Sequence, residues 1–126
     1  MFHAKDNKQG YIFNPFEYLG PKRLSELKNS WAEIFRSEIL PELPVESLRK
    51  YYHDKNGRPS KEMYSMLGLM IIQQMHDLTD EKAVGDFMFD TRWRYALDVP
   101  GDSDREAYVS LKSLWTIRKH LTEGGV

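Results

Sequence analysis

The 126-residue sequence contains no cysteine, which excludes disulfide staples and thiolate chemistry and fits a reducing compartment. Long hydrophobic runs are missing too. The longest, Met66 to Ile72, falls far short of the roughly 20 residues that a bilayer-spanning helix needs. The opening stretch MFHAKDNKQG has no apolar segment of the kind that directs secretion, so a cytoplasmic protein is expected. No glycine-rich phosphate loop and no nucleophile beside a base can be found, so catalysis by this chain alone is not expected. Net charge is nearly absent at −1, and no strand-like alternation of useful length occurs.

What is present is helical periodicity and a sharp segregation of charge. Residues 77–104 carry three Lys/Arg against eight Asp/Glu, whereas residues 105–121 carry four against one. A basic end of this kind can bind phosphate even in a chain that is neutral overall.

Residues 1–13 show no apolar period and read as a flexible lead-in. Residues 14–122 read as one helical domain, and 123–126 as a tail. Pro21 opens a stripe through Leu24, Leu27, Trp31, Ile34 and Phe35, which predicts one helix ending near Pro41 and Pro44. A short segment over Val45–Tyr52 follows. Asn56-Gly57 and Pro59 make a turn, and Ser60 is a natural cap for the next helix. Met63, Tyr64, Met66, Leu67, Met70, Ile71 and Met75 cover most of that helix and leave a polar strip of Ser65 with His76. A helix apolar nearly all round belongs at the centre of a bundle. Gly68 inside it costs about 1 kcal/mol against alanine, so its use is to admit a close neighbour. Thr79 or Asp80 caps a helix whose buried face is Ala83, Val84, Phe87 and Met88, and Asp90-Thr91 restarts a short one. Ser103 with Glu106 fits a capping box. Ser110 caps a final helix over 111–121. The expected fold is all-α, a bundle of five to six helices around a central apolar helix, with a helix-turn-helix-like C-terminal pair.

The final helix, L-K-S-L-W-T-I-R-K-H-L, holds the chief candidate site. Leu111, Leu114, Ile117 and Leu121 form one face; Lys112, Thr116, Lys119 and His120 lie opposite. In a helix-turn-helix the second helix enters the major groove and its N-terminal residues reach base edges. The plainer alternative is a solvated amphipathic helix. Arg118 falls within the apolar arc, so it either snorkels to solvent or pairs with an acid of the 77–104 segment. Arg49, Lys50, Lys55 and Arg58, interleaved with Tyr51 and Tyr52, form a second basic patch suited to the DNA backbone. The pairs His53-Asp54 and His76-Asp77 lack the further ligands that a metal site requires. Asp77, Asp80, Asp86 and Asp90 could suggest a divalent-cation cluster, but Asp80, Asp86 and Asp90 belong to a helix whose other face is core and read as a solvated acidic face.

The order of several motifs resembles the N-terminal, InsH-type domain of bacterial insertion-sequence transposases of the DDE class. The matching pieces are N-P-F at 14–16, G-R-P-S at 57–60 before the apolar helix, L-T-D at 78–80, R-W-R-Y-A-L at 92–97 and S-L-x-x-I-R-x-x-L at 113–121. Ser113 and Ile117 stand where the family usually has Thr and Phe. The resemblance implies a DNA-binding domain that recognises terminal inverted repeats in duplex DNA and supports assembly. Lys112, Ser113, Thr116, Arg118 and Lys119 are then expected at the DNA, with Arg49, Lys50, Lys55 and Arg58 at its backbone. Such a protein would be cytoplasmic and nucleoid-associated when bound. The carboxylate-bearing catalytic domain is expected beyond residue 126, together with any divalent metal, so this chain is expected to need no cofactor. Neither a membrane nor a small-molecule substrate is expected as a partner. A competing expectation is a protein–protein module, a homodimer that pairs transposase subunits or an inhibitor that pairs with them.

Overall fold

The structure, a computed structural model, describes residues 2–5, 14–51, 61–101 and 103–124. Among these the chain is all-helical, without strands. Asn14 folds its carboxamide onto the N–H of Phe16 at 2.9 Å, opening a 3₁₀ turn at Glu17–Leu19. Gly20 then adopts φ +85°, a conformation that favours glycine, and Pro21 starts helix α1 (Pro21–Lys28) at the position where proline's missing N–H costs nothing.

The single stripe expected from Leu24 to Phe35 is broken. Ser30 accepts the N–H of Ala32 at 3.2 Å and donates its hydroxyl to the Leu27 carbonyl at 2.7 Å. A serine that satisfies local backbone groups in this way competes with helix continuation. A new helix, α2 (Trp31–Ile34), begins after it, and Ile34, expected inside, is 62% exposed. The helix then widens into a π turn, Phe35–Ile39, in which the N–H of Leu40 bonds the carbonyl of Phe35. That five-residue step brings Phe35 and Leu40 onto the same buried side. A 3₁₀ turn with Pro41 follows at Leu40–Glu42, and a 3₁₀ helix at Val45–Tyr51.

The central helix is α3 (Met63–Met75). The expected cap Ser60, with the whole G-R-P-S turn, lies outside the described residues; the capping residue is Glu62. Its carboxylate accepts the N–H groups of Tyr64 and Ser65, each at 2.9 Å, and the Ser65 hydroxyl at 2.7 Å. A carboxylate here both satisfies orphan donors and complements the helix dipole. Ser65, expected on a polar strip, is therefore buried, while Met75 is half-exposed. Gly68 is buried as a close-approach site: a Cβ on it would stand 2.3 Å from Leu97 Cδ2 and 3.3 Å from Phe35 Cε1.

Residues 2–5, part of the expected lead-in, are fastened to the start of α3; residues 6–13 lie outside the described residues. The His3 carbonyl accepts the Met63 N–H at 2.9 Å, and Phe2 is buried with Arg49 over its ring. The Lys5 ammonium reaches Glu62 at 3.3 Å, the Asp98 carbonyl at 2.6 Å and the Leu97 carbonyl. Burial pulls its pKa down, against the opposing pull of Glu62.

Helix α4 (Asp80–Phe89) is capped by Thr79, whose hydroxyl accepts the Lys82 N–H, and α5 (Thr91–Ala96) by Asp90 through the Arg92 N–H. Phe16 lies edge-on to Tyr95 at 5.2 Å, so the N-P-F and R-W-R-Y-A-L pieces meet in the core. Arg36 stacks over Tyr95 and pairs with Asp98 at 3.0 Å. The capping box expected at Ser103 does not close around α6 (Asp104–Ala107). The Glu106 carboxylate lies instead against Gly101, where a Cβ would overlap it.

Candidate nucleic-acid interface

The last helix, α7 (Leu111–Gly124), runs beyond the expected residue 121. As expected, Ser110 starts it, accepting the Ser113 N–H at 3.1 Å. Leu114 and Ile117 are buried and Leu111 and Leu121 partly so, docking the helix on the bundle against α4 and the Val45–Tyr51 segment.

Arg118 takes the second of its two readings and pairs with an acid. Its guanidinium grips both oxygens of Asp80, Nη1 to Oδ2 at 3.0 Å and Nη2 to Oδ1 at 2.9 Å, and Nη2 also reaches Gln73 Oε1 at 3.2 Å. Gln73 returns a bond from Nε2 to Asp80 Oδ1 at 2.8 Å, and the Trp115 indole N–H donates to Oδ2 at 3.0 Å. Four donors thus converge on one carboxylate. The hydrogen bond from Arg118 foremost, then those from Gln73 and Trp115, hold Asp80 well below the usual carboxylate range and raise Arg118 above its usual value. Two pieces of the sequence resemblance, L-T-D and S-L-x-x-I-R-x-x-L, meet in this cluster. Asp80 is therefore a brace and not part of a solvated acidic face. Asp86 pairs with Lys82 at 2.9 Å and Asp90 with Arg92 at 3.2 Å.

With Arg118 engaged, Lys112, Thr116 and Lys119 stand exposed along the outer side of α7, and Ser113 is half-buried beside them. Lys119 approaches Glu123 only at 3.9 Å on an exposed surface, an ion pair of little strength. His120, expected among the lysines, turns away and stacks on Tyr51 at 4.4 Å with the rings nearly parallel, because the Val45–Tyr51 segment packs there. Trp115 was not among the sequence-based candidates. It is half-exposed, three residues past Lys112 and four before Lys119, so it neighbours both on the helix surface, on the side towards Arg118.

An open groove of about 970 Å³ borders the start of the lysine stripe, lined by Lys112 and Thr116 of α7 and by Lys61 and Arg105, with the acids Glu62, Asp98 and Glu106 also in its wall. Lys61 fixes its far wall by donating to the Tyr108 carbonyl. In the second basic patch, Arg49 forms a two-pronged pair with Glu46 at 2.8 and 3.2 Å, and Lys50 is exposed near the Tyr51 ring. Lys55 and Arg58 lie outside the described residues, as does His53-Asp54. His76 packs edge-on against Trp31, and Asp77 takes the positive φ that ends α3. Among the described residues no three His, Cys, Asp or Glu side chains cluster as metal ligands, and no helix is long and apolar enough to cross a membrane.

A family model described as a transposase domain, DUF772, matches residues 23–120. No curated protein matches the chain. No solved structure does so either.

Proposed function

The chain belongs to the transposase-domain family DUF772, and from that premise we propose that it is the DNA-binding N-terminal domain of a transposase, recognising terminal inverted repeats. α6 and α7 form the helix-turn-helix-like pair, and α7 lies in the major groove. Lys112, Ser113, Thr116 and Lys119 face the duplex. Arg118 acts from behind them by fixing α7 to α4 through Asp80. Arg49, Lys50, Lys55 and Arg58 contact the backbone and set the register without reading sequence. The observation that supports this reading best is the division of labour on α7: its arginine is committed to Asp80 while both lysines stand clear. In a bacterial cell this places the protein in the cytoplasm, on the nucleoid when bound. Strand cleavage, with its divalent metal, belongs to a catalytic domain outside these 126 residues.

The test is a titration of labelled terminal-repeat duplex with wild type and with a Lys112→Ala/Lys119→Ala double variant. Affinity should fall steeply between about 50 and 200 mM salt as released counterions lose their advantage. The double variant should bind more weakly and with a shallower salt slope; superimposable curves would remove this assignment.

A second reading, a module that pairs transposase subunits or inhibits them by pairing, is favoured by Phe89, 84% exposed at the end of α4. Light scattering separates the two readings. A tight dimer without duplex affinity selects the second.

A further inference from the structure

We propose that Trp115 is a specificity-determining contact, its indole packing against thymine methyl groups in the major groove. The inference rests on duplex binding by α7. Trp115 leaves 51% of its surface in solvent, an unusual outlay for the largest apolar side chain, yet its indole does not hang free. The N–H edge is tied to Asp80 Oδ2 at 3.0 Å, and Asp80 is itself gripped by Arg118 and Gln73. That anchor turns the six-membered-ring edge away from α4. Lys112 and Lys119 flank it at spacings of three and four residues, so a polyanion drawn to the lysines meets the ring. The acid beneath is compensated by Arg118, which removes the repulsion an unpaired carboxylate would exert on phosphate. An apolar edge presented to the major groove finds its best match in the thymine C5-methyl, the one methyl group that projects there among the donors and acceptors of the base edges.

The experiment uses the full chain and two 30-base-pair duplexes of the terminal-repeat sequence, one with thymine and one with deoxyuridine at every thymine position. Wild type should bind the thymine duplex about tenfold more tightly than the deoxyuridine duplex, and Trp115→Ala should lose that preference. Binding should also shield Trp115 fluorescence from iodide in the wild type; Trp93 is buried and Trp31 half-buried, and the difference from Trp115→Phe isolates the Trp115 signal. Trp115→Phe keeps an aromatic ring at the position, so this arm does not depend on the alanine variant folding. Equal affinity of wild type for both duplexes, or undiminished iodide access on the bound protein, would overturn the proposal while leaving duplex binding intact. Failure of wild type to bind either duplex would overturn the reading beneath it, and the proposal with it.

Discussion

The two ends of α3 each hold a charged hub, and they are built for different ends. At its start, Lys5 is largely buried and spends its protons on Glu62 and on the carbonyls of Leu97 and Asp98. At its finish, Asp80 is partly exposed and takes its hydrogen bonds from Gln73 of α3 and from Trp115 and Arg118 of α7. The first hub ties the N-terminal strap and the α5 end to the core. The second ties one helix, the one carrying the exposed lysines, at a fixed rotation. A buried hub without its centre leaves polar groups stranded, which is costly; a partly exposed one leaves groups that water can satisfy. The molecule therefore stores stability at one end of α3 and orientation at the other.

Breaking the first hub gives the largest expected effect. Lys5→Ala takes the buried ammonium from Glu62, which keeps its capping bonds, and strands the Leu97 and Asp98 carbonyls; it should cost about 2–3 kcal/mol of unfolding free energy, read by urea denaturation. Duplex affinity of the folded fraction should hardly change. A loss below about 0.5 kcal/mol would mean that the strap contributes nothing. Between the hubs, Gly68→Ala drives a methyl into Leu97 and Phe35. Overpacking of about 1–3 kcal/mol outweighs the gain of about 1 kcal/mol in helix propensity, so the variant should be less stable, not more.

Asp80→Asn probes the second hub. Its stability cost should be smaller, about 1 kcal/mol, since both partners are partly solvated. The sign of its effect on DNA is more informative than the size. Charge counting alone predicts tighter binding once an acid is removed. Bracing predicts weaker binding, because Trp115 and Arg118 lose their common anchor, and weaker binding is the expected result. The pH dependence follows from the direction of the shift. A carboxyl held low in the folded state contributes fully above its unfolded value, near 3.9, and that contribution is lost as pH falls below it. The stability difference between wild type and Asp80→Asn should accordingly begin to shrink as pH falls below about 4 and go on shrinking towards the lower folded-state value.

Much of this contrast was legible in the sequence. The apolar density of residues 63–75 placed α3 at the centre, Ser110 and Thr79 capped their helices as serine and threonine do, and Gly68 marked a close approach. Arg118 inside an apolar arc left two readings open, snorkelling to solvent or pairing with an acid of residues 77–104, and nothing singled out Asp80, because a pair 38 residues apart leaves no periodic trace. The strap at residues 2–5 was invisible because its ion pair spans 57 residues and its other bonds use backbone carbonyls, which every residue carries. Ser30 and the π turn were missed because a helical stripe is blind to one inserted residue. Trp115 was visible in projection, yet an aromatic in an amphipathic helix reads first as core.

Phe89→Ser should have the smallest effect, and it bears on whether the two hubs define the whole functional surface. Phe89 ends α4 at 84% exposure, and no ring contact or hydrogen bond of its side chain occurs among the described residues. Removing it should leave stability within about 0.5 kcal/mol of wild type, as for surface positions generally. If α7 alone carries the function, the variant should match wild type in duplex affinity and in mass by light scattering. A wild-type dimer that falls to monomer on this change would instead make the outer end of α4 a subunit interface. The Asp80 hub, lying at the other end of the same helix, would then sit between a protein-binding end and a DNA-binding neighbour.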